Sequence, residues 1–154
     1  MAPTPTKITG SMAIELLRQA RDRRGADYVY VNDKGQRAGS ITSQGVGQLA
    51  TADCSYVHTG PDGAMTPGCI AGEVLHAAGV PLVELLSWEG CAVGVFAQEM
   101  GFANEEGEFV LTVAQGKQDI GETWGEAVAA AEAAYAAWQE GRAARQEGRE
   151  AVLA

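Results

Sequence analysis

The chain has 154 residues, 46% of them apolar, 20% charged and 6% aromatic, with 11 Lys and Arg against 20 Asp and Glu for a formal net charge of −9. That composition excludes the disordered class, and a chain of this length buries about 70% of its unfolded surface without needing disulfides or a metal. No apolar run approaches the ~20 residues that cross a bilayer, and the opening Met1–Lys7 lacks the charged-then-apolar layout of a signal peptide, so a soluble, cytoplasmic protein is expected.

Residues 1–10 read as a flexible N-terminal arm, interrupted by Pro3, Pro5 and Gly10. A helix follows, with Ser11 as its cap and Ala13, Leu16, Leu17 and Ala20 on one apolar stripe. Gly25 stops it, and Arg21, Arg23 and Arg24 complement the helix dipole in the last turn. Tyr28–Val31 alternates like a strand, Asn32–Gly35 is a turn, and residues 36–41 read as the returning strand of a hairpin weakened by Gly39. Residues 42–52 have no clear period. Cys54–His58 reads as a short strand, ended by the turn Gly60-Pro-Asp-Gly63.

Thr66 as N-cap and Pro67 at the first helical position predict a helix running to Gly79. Pro81 opens a second helix, Leu82–Trp88, which completes an αα-hairpin. Val93, Phe96, Ala97 and Met100 keep helical spacing up to Gly101. Phe109–Val113 has β composition, but Val110, Val113, Ala114 and Lys117 fit a helix capped by Asn104, and a helix is the reading adopted. Thr123-Trp-Gly-Glu126 is a capping box. Behind it Trp124, Val128, Ala131, Tyr135 and Trp138 form a narrow seam of the kind used in helix pairing. The seam continues as Arg142, Arg145 and Arg149, so core packing is expected to end at Trp138. Gln139-Glu-Gly-Arg142 recurs as Gln146-Glu-Gly-Arg149, read as a solvated, weakly helical tail. The expected fold is therefore α+β and predominantly helical. It is a compact helical domain over residues 11–138, with one or two short β-hairpins in its N-terminal half and a polar helical tail over 139–154.

The charge is unevenly spread. Residues 1–37 carry +3, residues 38–116 hold nine acids and no Lys or Arg, and residues 117–154 carry −3. A stretch without basic side chains makes no phosphate contacts of the kind that sustain nucleic-acid or anionic-membrane binding, so neither partner is expected. The plain reading of the acidic balance is solubility; the sharper one is an acidic surface for a basic partner.

Three cysteines and no signal peptide point to reduced thiols, with Cys91 a small buried hydrophobe. Cys54, His58, Cys69 and His76 supply a zinc-like donor set. However, a strand separates Cys54 from His58 by about 13 Å, and a helix separates Cys69 from His76 by about 10 Å, so no metal and no cofactor is expected. Cys69 near a helix start, with Glu73 and His76 on its face, is the weak candidate for thiol catalysis, and His58 is the other possible base. Against this, the helix around Cys69 is apolar on nearly all sides. The glycines form no phosphate loop; Gly72 and Gly94 are read as close-packing positions. Gln115, Gln118, Asp119, Thr123 and Trp124 meet at a helix junction. They read either as interhelical hydrogen bonding or, with Tyr56, His58 and His76, as the lining of a ligand pocket.

Two stretches, Cys54-Ser-Tyr-Val57 with Pro67-Gly-Cys-Ile-Ala-Gly-Glu-Val-Leu-His-Ala-Ala-Gly-Val80, and Ala114-Gln-Gly-Lys-Gln-Asp119 with Thr123-Trp-Gly-Glu-Ala127, resemble small uncharacterised proteins encoded by actinobacteria and their phages. The resemblance covers roughly residues 9–138 and carries over no catalytic residues. It implies a phage-type product that binds and redirects a host component. The leading expectation is a non-enzymatic binding protein acting on a host protein or sequestering a small signalling molecule. The alternatives are a thiol-dependent enzyme using Cys69 and an assembly protein whose seam from Trp124 to Trp138 makes a homodimer.

Overall fold

The computed structural model describes residues 6–38 and 54–154. Thr9, with extended backbone, accepts the Met12 N–H through its Oγ1 at 3.3 Å and caps α1, Gly10–Arg24. The cap therefore lies two residues before the expected Ser11, which is already helical and exposed. Leu17, Ala13 and Ala20 are fully buried along one face of α1, and Gly25 ends it at φ 100°.

The end of the expected arm is tied down. Ile8 is fully buried, its N–H donates to Phe102 O at 2.8 Å, and its carbonyl accepts from Asn104 N at 2.9 Å. Residues 1–5 lie outside the described residues, as do Gly39–Ile41 of the expected hairpin and the aperiodic 42–52. What the structure describes of that hairpin is one antiparallel bridge, Val31↔Arg37. Asn32 Oδ1 accepts from both Lys34 N and Gln36 N, so a side chain, not a facing strand, takes these amides.

The sheet consists of β1, Val57–Thr59, and β2, Met65–Pro67, antiparallel with His58 opposite Thr66. Thr66 and Pro67 thus belong to a strand and not to a helix start. Pro67 stands opposite Val57, whose N–H is turned away to Glu89 Oε1 at 2.9 Å, so the position asks for no donor. The following helix, α2, begins later and spans Ile70–Ala77 with Cys69 as its N-cap. Gly79 at φ 104° leads through Val80 to α3, Leu82–Ser87. The helix expected from Val93 to Met100 is shorter: α4 covers Val93–Phe96, and turns lead on to Gly101.

Asn104 caps α5, Glu105–Asp119, by accepting Gly107 N–H at 2.8 Å. Residues 109–113 are helical, as expected. Both hydrogen bonds of the Thr123–Glu126 capping box are present at the start of α6, Trp124–Leu153. The fold is a helical α+β domain: α5 and α6 pack along each other, α1 lies against both, and α2 and α4 pack on α5. The β-hairpin sits over α2 and α3.

The α6 seam is spent inside the chain. Trp124, Val128 and Ala131 are fully buried, Tyr135 lies against Gly10 of α1, and the Trp138 ring packs on Phe109 of α5 with centroids 4.5 Å apart. These residues hold α6 to its own domain, where full burial of a side chain of this size stabilises by about 1.5–3 kcal/mol. Beyond Trp138 the helix continues to Leu153 with its side chains mostly in solvent. Among the described residues no helix is long and apolar enough to cross a membrane.

Candidate functional site

The site forms where the chain entering β1 meets the first turn of α2 and the last turn of α5. The opening amides of α2 have no partners within their own helix, and here side chains take them. Ile70 N donates to Gln118 Oε1 at 2.8 Å, Ala71 N to Gln115 Oε1 at 3.4 Å, and Gly72 N to Cys69 Sγ at 3.4 Å. Gly72 also lets α2 lie directly on the Tyr56 backbone, since a Cβ at that position would run into the Tyr56 carbonyl oxygen.

The other ends of the two glutamine amides converge. Gln115 Nε2 and Gln118 Nε2 each donate to Asp119 Oδ1 at 3.1 Å. Gln115 Nε2 also donates to Cys54 Sγ. Burial pushes the Asp119 carboxyl above its ordinary range, and the two glutamine donors pull it partly back. Gln118 is fully buried, whereas Gln115 and Asp119 reach an open cleft of about 680 Å³. Cys54, Tyr56, Glu89 and Cys91 line the same cleft, as do Asp33 and Lys34. Tyr56 OH donates to the Cys91 carbonyl oxygen. Burial likewise raises the Glu89 carboxyl, against the pull of the Val57 and Tyr56 amides.

The expected pocket residues therefore separate. Tyr56, Gln115 and Asp119 meet at the cleft. Gln118 lies beneath it as a cap for α2. His58 is held by Tyr30 OH at 3.0 Å, with its imidazole pKa lowered by burial. His76 is exposed at the far end of α2, its Nδ1 against Val80 O at 3.1 Å. Trp124 belongs to the core, edge-on to Tyr28 with centroids 4.9 Å apart.

The catalytic constellation is taken apart in the same way. Cys69 is fully buried and engaged as a cap. Glu73, placed on its face by helical spacing, is bound by Arg23 at 3.1 Å and Arg24 at 3.2 Å. Those arginines, expected to serve the dipole of α1, thus clamp α1 to α2, and Arg24 also lies over the Tyr28 and Trp124 rings. Burial, together with Cys69 and Asp119 beside it, pushes the Cys54 thiol up, the opposite of what a thiolate nucleophile needs. Among the described residues no three His, Cys, Asp or Glu side chains form a group able to hold a metal ion.

Sequence reasoning missed Glu89 and the exposure of Cys91 to the cleft. Neither carries a local signal: Glu89 follows a helix end, and Cys91, read as a buried hydrophobe, is only half-buried. No family model, curated protein or solved structure matches the chain.

Proposed function

We propose that this is a non-enzymatic binding protein whose site is the cleft between Tyr56, Gln115, Asp119 and Glu89, and that it takes a small molecule rich in N–H donors. The observation that carries this reading is Asp119. Its Oδ1 is pinned by two glutamines that are themselves fixed by the α2 amides, so the carboxyl is oriented before any ligand arrives. A prepositioned, partly desolvated acceptor at an open cleft suits recognition. The acids of the cleft outnumber its one lysine, which favours a neutral or cationic ligand over an anion. The resemblance to actinobacterial phage proteins supports a host signalling molecule as the ligand and the host cytoplasm as the place of action. The disposition of the thiols, one buried as a cap and one raised by burial, supports binding over thiol catalysis.

Thermal-shift measurements against nucleobases, nucleosides, polyamines and amino-acid amides test the reading. A true ligand at 100 times its Kd stabilises by about 2.7 kcal/mol, which for a chain of this size raises Tm by roughly 5–10 °C. The shift should vanish in Asp119→Asn. A panel that moves nothing, or a shift that survives in Asp119→Asn, rejects the cleft as the site.

A further inference from the structure

The overhang of α6 carries a charge pattern that its own domain leaves unused. The spacing that sets Trp124, Val128, Ala131, Tyr135 and Trp138 on one face continues through Arg142, Arg145 and Arg149 to Val152, while Glu140 and Glu147 fall on the opposite face. Arg142 pairs with Glu106 at the head of α5, and Tyr135 OH donates to the other oxygen of that carboxylate at 3.3 Å. Past this pair α5 ends and the arginines run on. Arg145 and Arg149 have no ion-pair partner among the described residues. They stand four residues apart, where like charges repel on a helix. Gly141 and Gly148 weaken the same stretch further.

An open groove of about 760 Å³ lies between these arginines and the head of α5, with Glu105 at its rim. Trp138 also lines it, and the indole Nε1 of Trp138 is buried without an acceptor among the described residues. Arg145 and Arg149, without ion-pair partners among the described residues, line one groove, and both ask for acceptors.

We propose that the arginine face of α6 is a docking surface for an acidic helix of a partner protein, whose carboxylates meet Arg145 and Arg149. Carboxylates three and four residues apart on a helix match the spacing of the arginines, and guanidinium binds carboxylate through two parallel hydrogen bonds. A second copy of this tail would set arginine against arginine at the seam positions. A nucleic-acid duplex would meet Glu105 at the rim beside the arginines, in a chain of net charge −9.

The test is fluorescence anisotropy of a labelled helical peptide with Glu at the seam positions of two heptads, titrated with the full chain. The same peptide with Gln at those positions and a DNA duplex of equal charge serve as comparisons. Saturable binding of the Glu peptide alone, weakened at least tenfold in the Arg145→Ala/Arg149→Ala double variant, is expected. Both arginines are solvent-facing, so the variant should keep the circular dichroism of the parent. Absence of saturable binding, equal affinity in the double variant, or a duplex bound as tightly as the peptide overturns the proposal. A dimer that forms without peptide and dissolves in the double variant also overturns it, assigning the face to a second copy.

Discussion

Gln118 Oε1 accepts the Ile70 N–H at 2.8 Å across 48 positions of sequence, and both groups are fully buried. One α5 side chain thereby does for α2 what a cap residue ordinarily does. Gln118→Met keeps the volume and removes the acceptor, leaving a buried amide unpaired. The expected loss is about 1–3 kcal/mol, read as a lower urea midpoint with an unchanged slope.

Two helical glycines should respond with opposite signs. A Cβ at Gly72 meets the backbone carbonyl of Tyr56, which cannot swing aside, so Gly72→Ala should cost about 1–3 kcal/mol. Gly116 in α5 has nothing within 4 Å of the same atom. Gly116→Ala should therefore add up to about 1 kcal/mol from helix propensity alone. Urea unfolding of the two variants beside the parent compares them directly.

The Glu89 and Asp119 carboxyls are raised by burial. Such a group keeps its proton in the folded chain at pH values where the unfolded chain has lost it. Its contribution to stability is therefore largest below the ordinary carboxylate range and is lost as pH rises through the folded pKa. Urea unfolding of the parent and Glu89→Gln between pH 4 and 7 should show the difference moving steadily against the parent as pH rises.

His58 has the opposite slope. Burial lowers its imidazole pKa, so the folded chain resists a proton that the unfolded chain accepts. The stability is present above about 6.5, the ordinary imidazole value, and falls as pH drops through the lowered folded value. The His58 ring protons should titrate by NMR with a midpoint below 6.5, and a midpoint above that value would contradict the burial.

The thiols should label in a set order. Cys54 and Cys91 are half-buried, and Cys69 is fully enclosed. Under iodoacetamide at pH 8, peptide mapping should find Cys91 modified first and Cys69 only at the rate of global unfolding. Prompt labelling of Cys69 in the folded protein would reopen its candidacy as a nucleophile.

The sequence by itself determined the features that depend on residues within a turn or two of each other. The Thr123–Glu126 box, the Asn104 cap, the stop at Gly25 and the seam of α6 all follow from local hydrogen bonding and the helical period. It also grouped Gln115, Gln118 and Asp119 with Thr123 and Trp124 at one helix junction; the first three do meet, because i, i+3 and i+4 positions share a helix face, whereas Trp124 went to the core. Pro67 was read as a helix start and stands in a strand, since the first turn of a helix and a strand position turned away from its partner tolerate a missing N–H equally. Only the tertiary structure decided that case. It likewise assigned Cys69 to capping, drew Glu73 to Arg23 and Arg24, and turned the seam inward onto α1 and α5. Each of these is a choice of partner across tens of residues, and such a choice exists only once packing has brought the two groups together.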